Sequence, residues 1–439
     1  MSEGHIIEND SLLSLDSVKP KNRITSSKFS ILNFLTMLPL IFILGIFLAF
    51  PLSIFLTRTF PKIHHVLSSW DSRKLVGMQN SSAMLPLSLK NFFNKSYQLQ
   101  FETSLDANLP FKSLAVRIHN QIYYDLFSKS YGETGAIIIG KKGYLYESNY
   151  LEAYCKSPLN AGSAQIFNQW VMKLANLSKF FKNNHQLFIY VISPSKIDYY
   201  PNTLPSNYSC LTPFKHPNYE RAIHTLTKTQ DIHFIDGVRI VLDNKKKYGT
   251  LMFPRGGIHW TLLGAALVAQ NLIKQISAAT SYQLPLFKFS YTKSHNPFLI
   301  DPSDIDLLAL ANLLKPARNF IVPNVKIQPA NHYDHKLKLA IIGDSFSVHL
   351  IHALIETHYF SQIDYYNYFK LGHYRFYPSK SNDSKIFMQQ LAKVYPVDTN
   401  NPKTFQDIFK ANIVILEDNE AFIISNQSQL FYNTMMKLL

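Results

Sequence analysis

The chain has 439 residues, 46% of them hydrophobic, 14% aromatic and 17% charged, with a formal net charge of +15. This composition excludes a disordered or low-complexity protein and suffices for a large core, in one α/β domain with extensions or in two or three domains. The basic residues are spread along the chain with no nucleic-acid-binding motif among them, which argues against a nucleic-acid partner. An anionic polysaccharide, membrane headgroups or a merely solvated surface would account for the charge equally well.

In chain order, residues 1–28 are polar and read as a cytoplasmic tail. Phe29–Leu56 is 28 residues long without a charged side chain, enough for one transmembrane helix, since about 20 apolar residues span a bilayer. The run is too long and begins too late for a cleaved signal peptide. Lys19, Lys21, Arg23 and Lys28 precede it, whereas only Arg58 and Lys62 follow. That asymmetry predicts a single-pass inner-membrane protein with a cytoplasmic N-terminus and an exported, periplasmic C-terminal domain. Residues 57–100 read as a juxtamembrane connector, and the globular domain as 101–439.

Within that domain, 136–139 is a short β run. Ser163 caps a helix with an apolar stripe of Ile166, Trp170, Leu174, Leu177 and Phe181. Strands are expected at 187–192, 232–235, 337–342 and 412–416, and helices near 220–227, 261–275 and 348–357. This alternation predicts a mostly parallel sheet covered by helices on both faces. Residues 280–335 show no clear period and read as an insertion. Cys155 and Cys210 are the two cysteines; in an exported domain they are compatible with one disulfide closing a loop of about 55 residues, or with two free thiols. His332 and His335 have a metal-like spacing, but in a polar loop they read as solvated, and no metal or cofactor is expected.

Two stretches carry the chemistry. Residues 341–350, Ile-Ile-Gly-Asp-Ser-Phe-Ser-Val-His-Leu, place Ser345 on a turn between a buried strand and a helix, where its hydroxyl is lifted from the sheet and the backbone N–H groups at 344–346 are aimed at a bound oxyanion. Alternatively, Gly-Asp-Ser is only a helix cap. Upstream, Arg255-Gly-Gly-Ile-His-Trp-Thr-Leu-Leu-Gly sets His259 at a helix entrance beside two glycines, suitable for a general base. An isolated histidine there would more commonly be one packed on Trp260.

The Gly-x-His-Trp-Thr-x-x-Gly-Ala run at 257–265 and Gly-Asp-Ser-Phe-Ser at 343–347 together resemble the two signatures of the SGNH-hydrolase-like acetyltransferases of alginate biosynthesis. Asn108–Lys112, Gly140–Tyr146, Ser193–Lys196 with Tyr200-Pro201, and Ile413–Leu416 followed by Glu417–Glu420 are similar to further family segments, in family order, over roughly 100–425. The resemblance implies an O-acetyltransferase working through a serine acyl-enzyme on a cell-surface or secreted polysaccharide, with its acetyl donor delivered by a multispanning membrane acyltransferase. Ser345 would be the nucleophile and His259 its base. Lys196, Trp260, Arg255, Glu417 and the tyrosines Tyr199 and Tyr200 are candidates for substrate contact; core packing or simple solvation is the alternative for each.

One position departs from the family. The residue two before the histidine is normally aspartate, and here it is Gly257. Asp344 and Asp236 are the candidate substitute acids. The missing carboxylate leaves two other readings open, a polysaccharide-binding or assembly component with a decayed triad and a stand-alone acetylesterase.

Overall fold

In the computed structural model the described residues are 88–107, 112–130, 137–156, 161–205, 217–296, 301–316, 320–329, 337–378, 384–398, 401–424 and 426–437, with short pieces at 37–40, 44–45, 59 and 75–77. The expected 29–56 anchor falls almost wholly outside them, and so do His332, His335, Cys210 and the side chain of Cys155. Among the described residues, only Leu262–Ala279 is long and apolar enough to cross a membrane, and over half of it is buried inside the protein. Residues 1–69 and 70–439 form separate units, and the second holds the sheets and the helices that cover them.

Eleven strands are described. A small antiparallel pair, β1 (Ile137–Ile139) and β2 (Leu145–Glu147), precedes the main sheet. The main sheet comprises β3 (Leu187–Ser193), β4 (His233–Asp236), β7 (Leu337–Gly343), β8 (Phe360–Asn367), β9 (Gly372–Phe376), β10 (Tyr395–Pro396) and β11 (Ile413–Asn419), in the order β10-β9-β8-β7-β11-β3-β4. The five strands from β8 to β4 are mutually parallel, whereas β9 and β10 add antiparallel at one edge. The sheet is therefore mixed. After β3 and β4 the chain crosses to β7 and β8, and β11, last in sequence, fills the gap between β7 and β3. Ligands of open α/β sheets bind beyond the carboxyl ends of strands near such a reversal.

The central strands are nearly continuous apolar runs because both faces are covered; all seven residues of β11 are buried. Eight helices matter here: α1 (Lys112–Phe127), α2 (Ser148–Lys156), α3 (Ala161–Asn183), α4 (Pro217–Thr227), α5 (Gly237–Asp243), α6 (Leu262–Ala279), α7 (Ser347–Ile355) and α8 (Asn426–Met436). One face packs against α6 and α7 through Leu263, Leu272, Leu350 and Leu354. The other packs against α3, α4 and α8 through Trp170, Leu174, Leu226 and Phe431. α3 begins at Ala161, so the expected cap Ser163 lies within its first turn; in its stripe Trp170, Leu174, Leu177 and Phe181 are buried as expected, but Ile166 is 52% exposed and belongs to the solvent face.

Residues 280–335 are not structureless. They contain an antiparallel hairpin of β5 (Lys288–Ser294) and β6 (Val322–Gln328), plus a tight segment, 301–310, that packs under the His259 loop. That segment's apolar side chains, Ile305, Leu307 and Leu308, join Leu145, Ile258 and Phe320 in a separate small core.

Candidate active site

Ser345 lies on the turn between β7 and α7, closed by the Ser347 N–H donating to Asp344 O and the Val348 N–H donating to Ser345 O. Gly343 is required at the end of β7: a Cβ there would lie 2.6 Å from Glu417 Oε2 and would also strike the Ser347 hydroxyl. His259 sits in a loop closed by the Thr261 N–H to Met252 O at 2.9 Å and the Thr261 hydroxyl to Leu251 O at 2.7 Å. Trp260 Nε1 donates to Phe346 O at 3.0 Å, tying the histidine loop to the residue after Ser345. The outcome is His259 Nε2 at 2.8 Å from Ser345 Oγ, with both residues half-buried and the imidazole edge-on to Phe346.

On the other side of the ring, Asp306 Oδ2 lies 2.8 Å from His259 Nδ1. The oxygen stands off the Nδ1–H axis, so the contact is an ion-pair approach, not an aligned hydrogen bond; such contacts commonly tighten only when substrate is bound. The other carboxylate oxygen is fixed, accepting from the Ile258 N–H at 2.9 Å and the Leu307 N–H at 2.7 Å. Leu308 N–H to Gly256 O, at 2.8 Å, continues this zipper between the two segments. A hydroxyl, an imidazole and a carboxylate in mutual reach form the constellation that makes serine a nucleophile at neutral pH.

Neither expected acid reaches the histidine. Asp236 caps α5, accepting from the Arg239 N–H at 2.9 Å, and takes the Tyr219 hydroxyl on both oxygens. Asp344 points under the turn, where it accepts from the Phe346 N–H at 2.7 Å, and burial beside Glu417 drives its carboxyl well above the usual range. The Asp344 N–H donates to Glu417 Oε2 at 3.0 Å. Of the three N–H groups expected to face an oxyanion, two are thus committed internally, and only the Ser345 N–H has no acceptor among the described residues.

Residues 137–353, which hold Ser345, His259 and Asp306, match the family profile of the SGNH hydrolase-like domain of the acetyltransferase AlgX. Over that span the chain resembles the AlgX acetyltransferase family. No curated protein sequence matches the chain. Similar solved structures include the O-acetyltransferase domain of Pseudomonas putida AlgJ (16% identity, 69% of this chain and 99% of that one, TM-score 0.43). Bacillus cereus PatB1 with a sulfonyl adduct (13%, 61% and 93%, 0.39) and Pseudomonas aeruginosa AlgX (14%, 64% and 62%, 0.38) are others.

Several candidate substrate contacts lie in the interior of the protein. Lys196 is only 3% exposed, and its ammonium donates to Leu145 O at 2.8 Å, Arg255 O at 3.0 Å and Gly257 O at 2.6 Å. Burial pulls its pKa down to about 7, against the attraction of Asp306 and Asp304. It is a clamp on the backbone leading to His259, out of reach of a glycan. Trp260 and Glu417 are fully buried; Glu417 accepts from the Ser193 and Ser347 hydroxyls at 2.5 and 2.8 Å. Tyr199 and Tyr200 both donate to Gly249 O and pack on Phe253. Arg255 is half-buried, with its guanidinium 5.4 Å from the Tyr144 ring centre.

Asp306 is the site residue that motif reading misses. Its one signal is the local Asp301-Pro-Ser-Asp-Ile-Asp306 run, three aspartates in six residues inside an aperiodic insertion. Glu147 and Tyr150 are also unforeseen. Burial raises the Glu147 carboxyl while His259 draws it back down, and Tyr150 rests against Phe346 and Phe422 with its hydroxyl pushed up by burial and by Asp344.

Proposed function

We propose that the chain is a membrane-anchored, exported O-acetyltransferase that modifies a cell-surface or secreted polysaccharide through an acetyl-serine at Ser345. The observation that carries this reading is the His259 imidazole bridging Ser345 Oγ and Asp306 Oδ2, at 2.8 Å on each side. Gly257, which favoured a decayed site, loses that force because Asp306 supplies a carboxylate from another segment.

In the first half-reaction Ser345 Oγ attacks the carbonyl carbon of an acetyl ester donor and passes its proton to His259 Nε2. The Ser345 N–H meets the carbonyl oxygen as it gains charge. The tetrahedral species collapses, the donor's C–O bond breaks, and His259 returns the proton to the leaving oxygen. In the second half-reaction a sugar hydroxyl gives its proton to His259 and attacks the acetyl carbon, the Oγ–C bond breaks, and His259 returns the proton to Ser345 Oγ. Asp306 keeps Nδ1 protonated and stabilises the imidazolium between transfers. The dispersed positive charge suits an anionic acceptor. The 29–56 segment would hold the domain at the membrane, where a multispanning acyltransferase could supply the acetyl group.

The test is O-acetyl content of the polymer in cells carrying stably expressed Ser345→Ala or Asp306→Asn protein, together with hydrolysis of a chromogenic acetyl ester. Ser345→Ala should abolish both. Asp306→Asn should lower turnover by as much as about 10⁴-fold, as loss of the orienting acid does in a triad. Wild-type acetylation with Ser345→Ala would sink the enzyme reading.

A further inference from the structure

The side chains beneath Asp306 form a second polar group that takes no part in either half-reaction. His349 stands on α7, four residues after Ser345, and is 2% exposed. Its Nε2 is 3.0 Å from Ser303 Oγ and 3.4 Å from Asp301 Oδ2. Asp301 Oδ1 accepts from the Ser303 N–H at 2.9 Å and the Ser303 hydroxyl at 2.5 Å. Because the Ser303 proton is given to Asp301, its oxygen can only accept from His349, so Nε2 carries a proton. The His349 ring lies 6.4 Å from that of His259.

Segment 301–306 is short and polar, and most of its apolar contact is made by Ile305. The Ile258 and Leu308 N–H bonds tie it to the histidine loop, and a second contact must tie it to the helix that follows the nucleophile if Asp306 is to stay within 2.8 Å of His259. We propose that His349, through Ser303 and Asp301, is the positioning residue that locks the acid-bearing segment to α7 and so sets the Asp306–His259 contact. The inference rests on the reading of Ser345, His259 and Asp306 as the reacting unit.

The charges around this clasp support it. Burial alone would raise the Asp301 carboxyl, but the attraction of His349 and the hydrogen bonds from His349 and Ser303 outweigh it and hold Asp301 well below the usual range. Asp304, next to Ser303 in the chain, is buried with no partner for Oδ1 among the described residues, and burial together with Asp301 and Asp306 pushes its carboxyl well up. Besides the Asp306 contact with His259, His349 is a polar side chain that meets this segment from α7.

A residue that acts through Asp306 should matter only while Asp306 is present. On the full chain, with a chromogenic acetyl ester as probe, His349→Ala should lower kcat roughly 10- to 100-fold, since about 1 Å of misplacement costs on the order of 10²-fold. KM should stay within about threefold. His349→Gln, which keeps a donor, should recover much of the loss. In an Asp306→Asn background, His349→Ala should cost less than about twofold more, because residues acting as one unit are non-additive. If His349→Ala does not fold, Asp301→Asn and Ser303→Ala carry the same pair of comparisons. A stable His349 or Asp301 variant with wild-type kcat, or one whose loss persists undiminished beside Asp306→Asn, would overturn the clasp while leaving the triad standing. Full activity of Asp306→Asn alone would instead remove the triad reading itself.

Discussion

Restoring the family's aspartate at Gly257 looks from sequence like a way to raise activity, and the packing predicts the reverse. A Cβ at 257 would lie 2.5 Å from Ser303 O and 2.8 Å from Asp304 C and O, all backbone atoms of the segment that carries Asp306. To reach an ordinary 3.4 Å contact, that backbone must retreat by about 0.9 Å, a displacement that costs on the order of 10²-fold when it moves a catalytic group. The histidine loop cannot give way instead, because Gly257 O is held by Lys196 Nζ at 2.6 Å and Ile258 N–H by Asp306 at 2.9 Å. Overpacking of this kind also lowers stability, typically by about 1–3 kcal/mol. Gly257→Ala should therefore reduce esterase turnover about 100-fold with KM little changed. Gly257→Asp should fall further, up to the roughly 10⁴-fold cost of losing the orienter. Steady-state kinetics with an acetyl ester, beside urea unfolding of each variant, measures both effects. If Gly257→Ala keeps wild-type kcat and stability, the 301–306 segment does not fill this space and the clash does not exist.

Lys196→Met should destabilise by about 2–4 kcal/mol, because it strips the donor from Gly257 O, which has no other among the described residues, and weakens two further carbonyls. With Lys196 at about 7 when folded and near 10.4 when unfolded, the unfolded chain binds the extra proton between those values. The wild type should thus gain up to about 1.4 kcal/mol per pH unit over the variant from pH 7 to 9, and equal slopes in urea titrations would contradict this. Asp418 is raised to about 7 by burial, despite donation from the Tyr190 and Tyr368 hydroxyls; the fold binds its proton and loses stability as pH rises from about 4 to 7. Asp418→Asn should accordingly be most stabilising above pH 7 and nearly neutral at pH 4 by thermal unfolding. A reporter active only outside the cytoplasm, fused after residue 100, should be active in cells; silence there, with a cytoplasmic reporter active, would reverse the topology. Mass spectrometry of unreduced protein should find Cys155 joined to Cys210, and two alkylatable thiols would count against the link.

Local order was legible wherever one element contains its own explanation. The run 337–342 is apolar and ends in glycine, and a chain that does this before a helical period has few options besides a buried parallel strand with Ser345 on the turn beyond it. Likewise the apolar period from Leu263 onward marked α6, and with it the placement of His259 at a helix entrance. The edge strands β9 and β10 were not legible, being short and partly polar. The β5–β6 hairpin was hidden because much of it faces solvent and no residue of β5 is fully buried, so its sequence lacks a strong apolar signal. The acid of the site could not be read at all. Asp306 lies 47 residues after His259 and 39 before Ser345, in a segment with no period of its own, and only the close approach permitted by Gly257 brings it to the imidazole. The same holds for Lys196, Trp260 and Glu417, whose polar groups look like ligand contacts in sequence. Burial and hydrogen-bond satisfaction are properties of the packed whole, so only the tertiary structure could decide that these residues hold the site together and Asp306 sits within it.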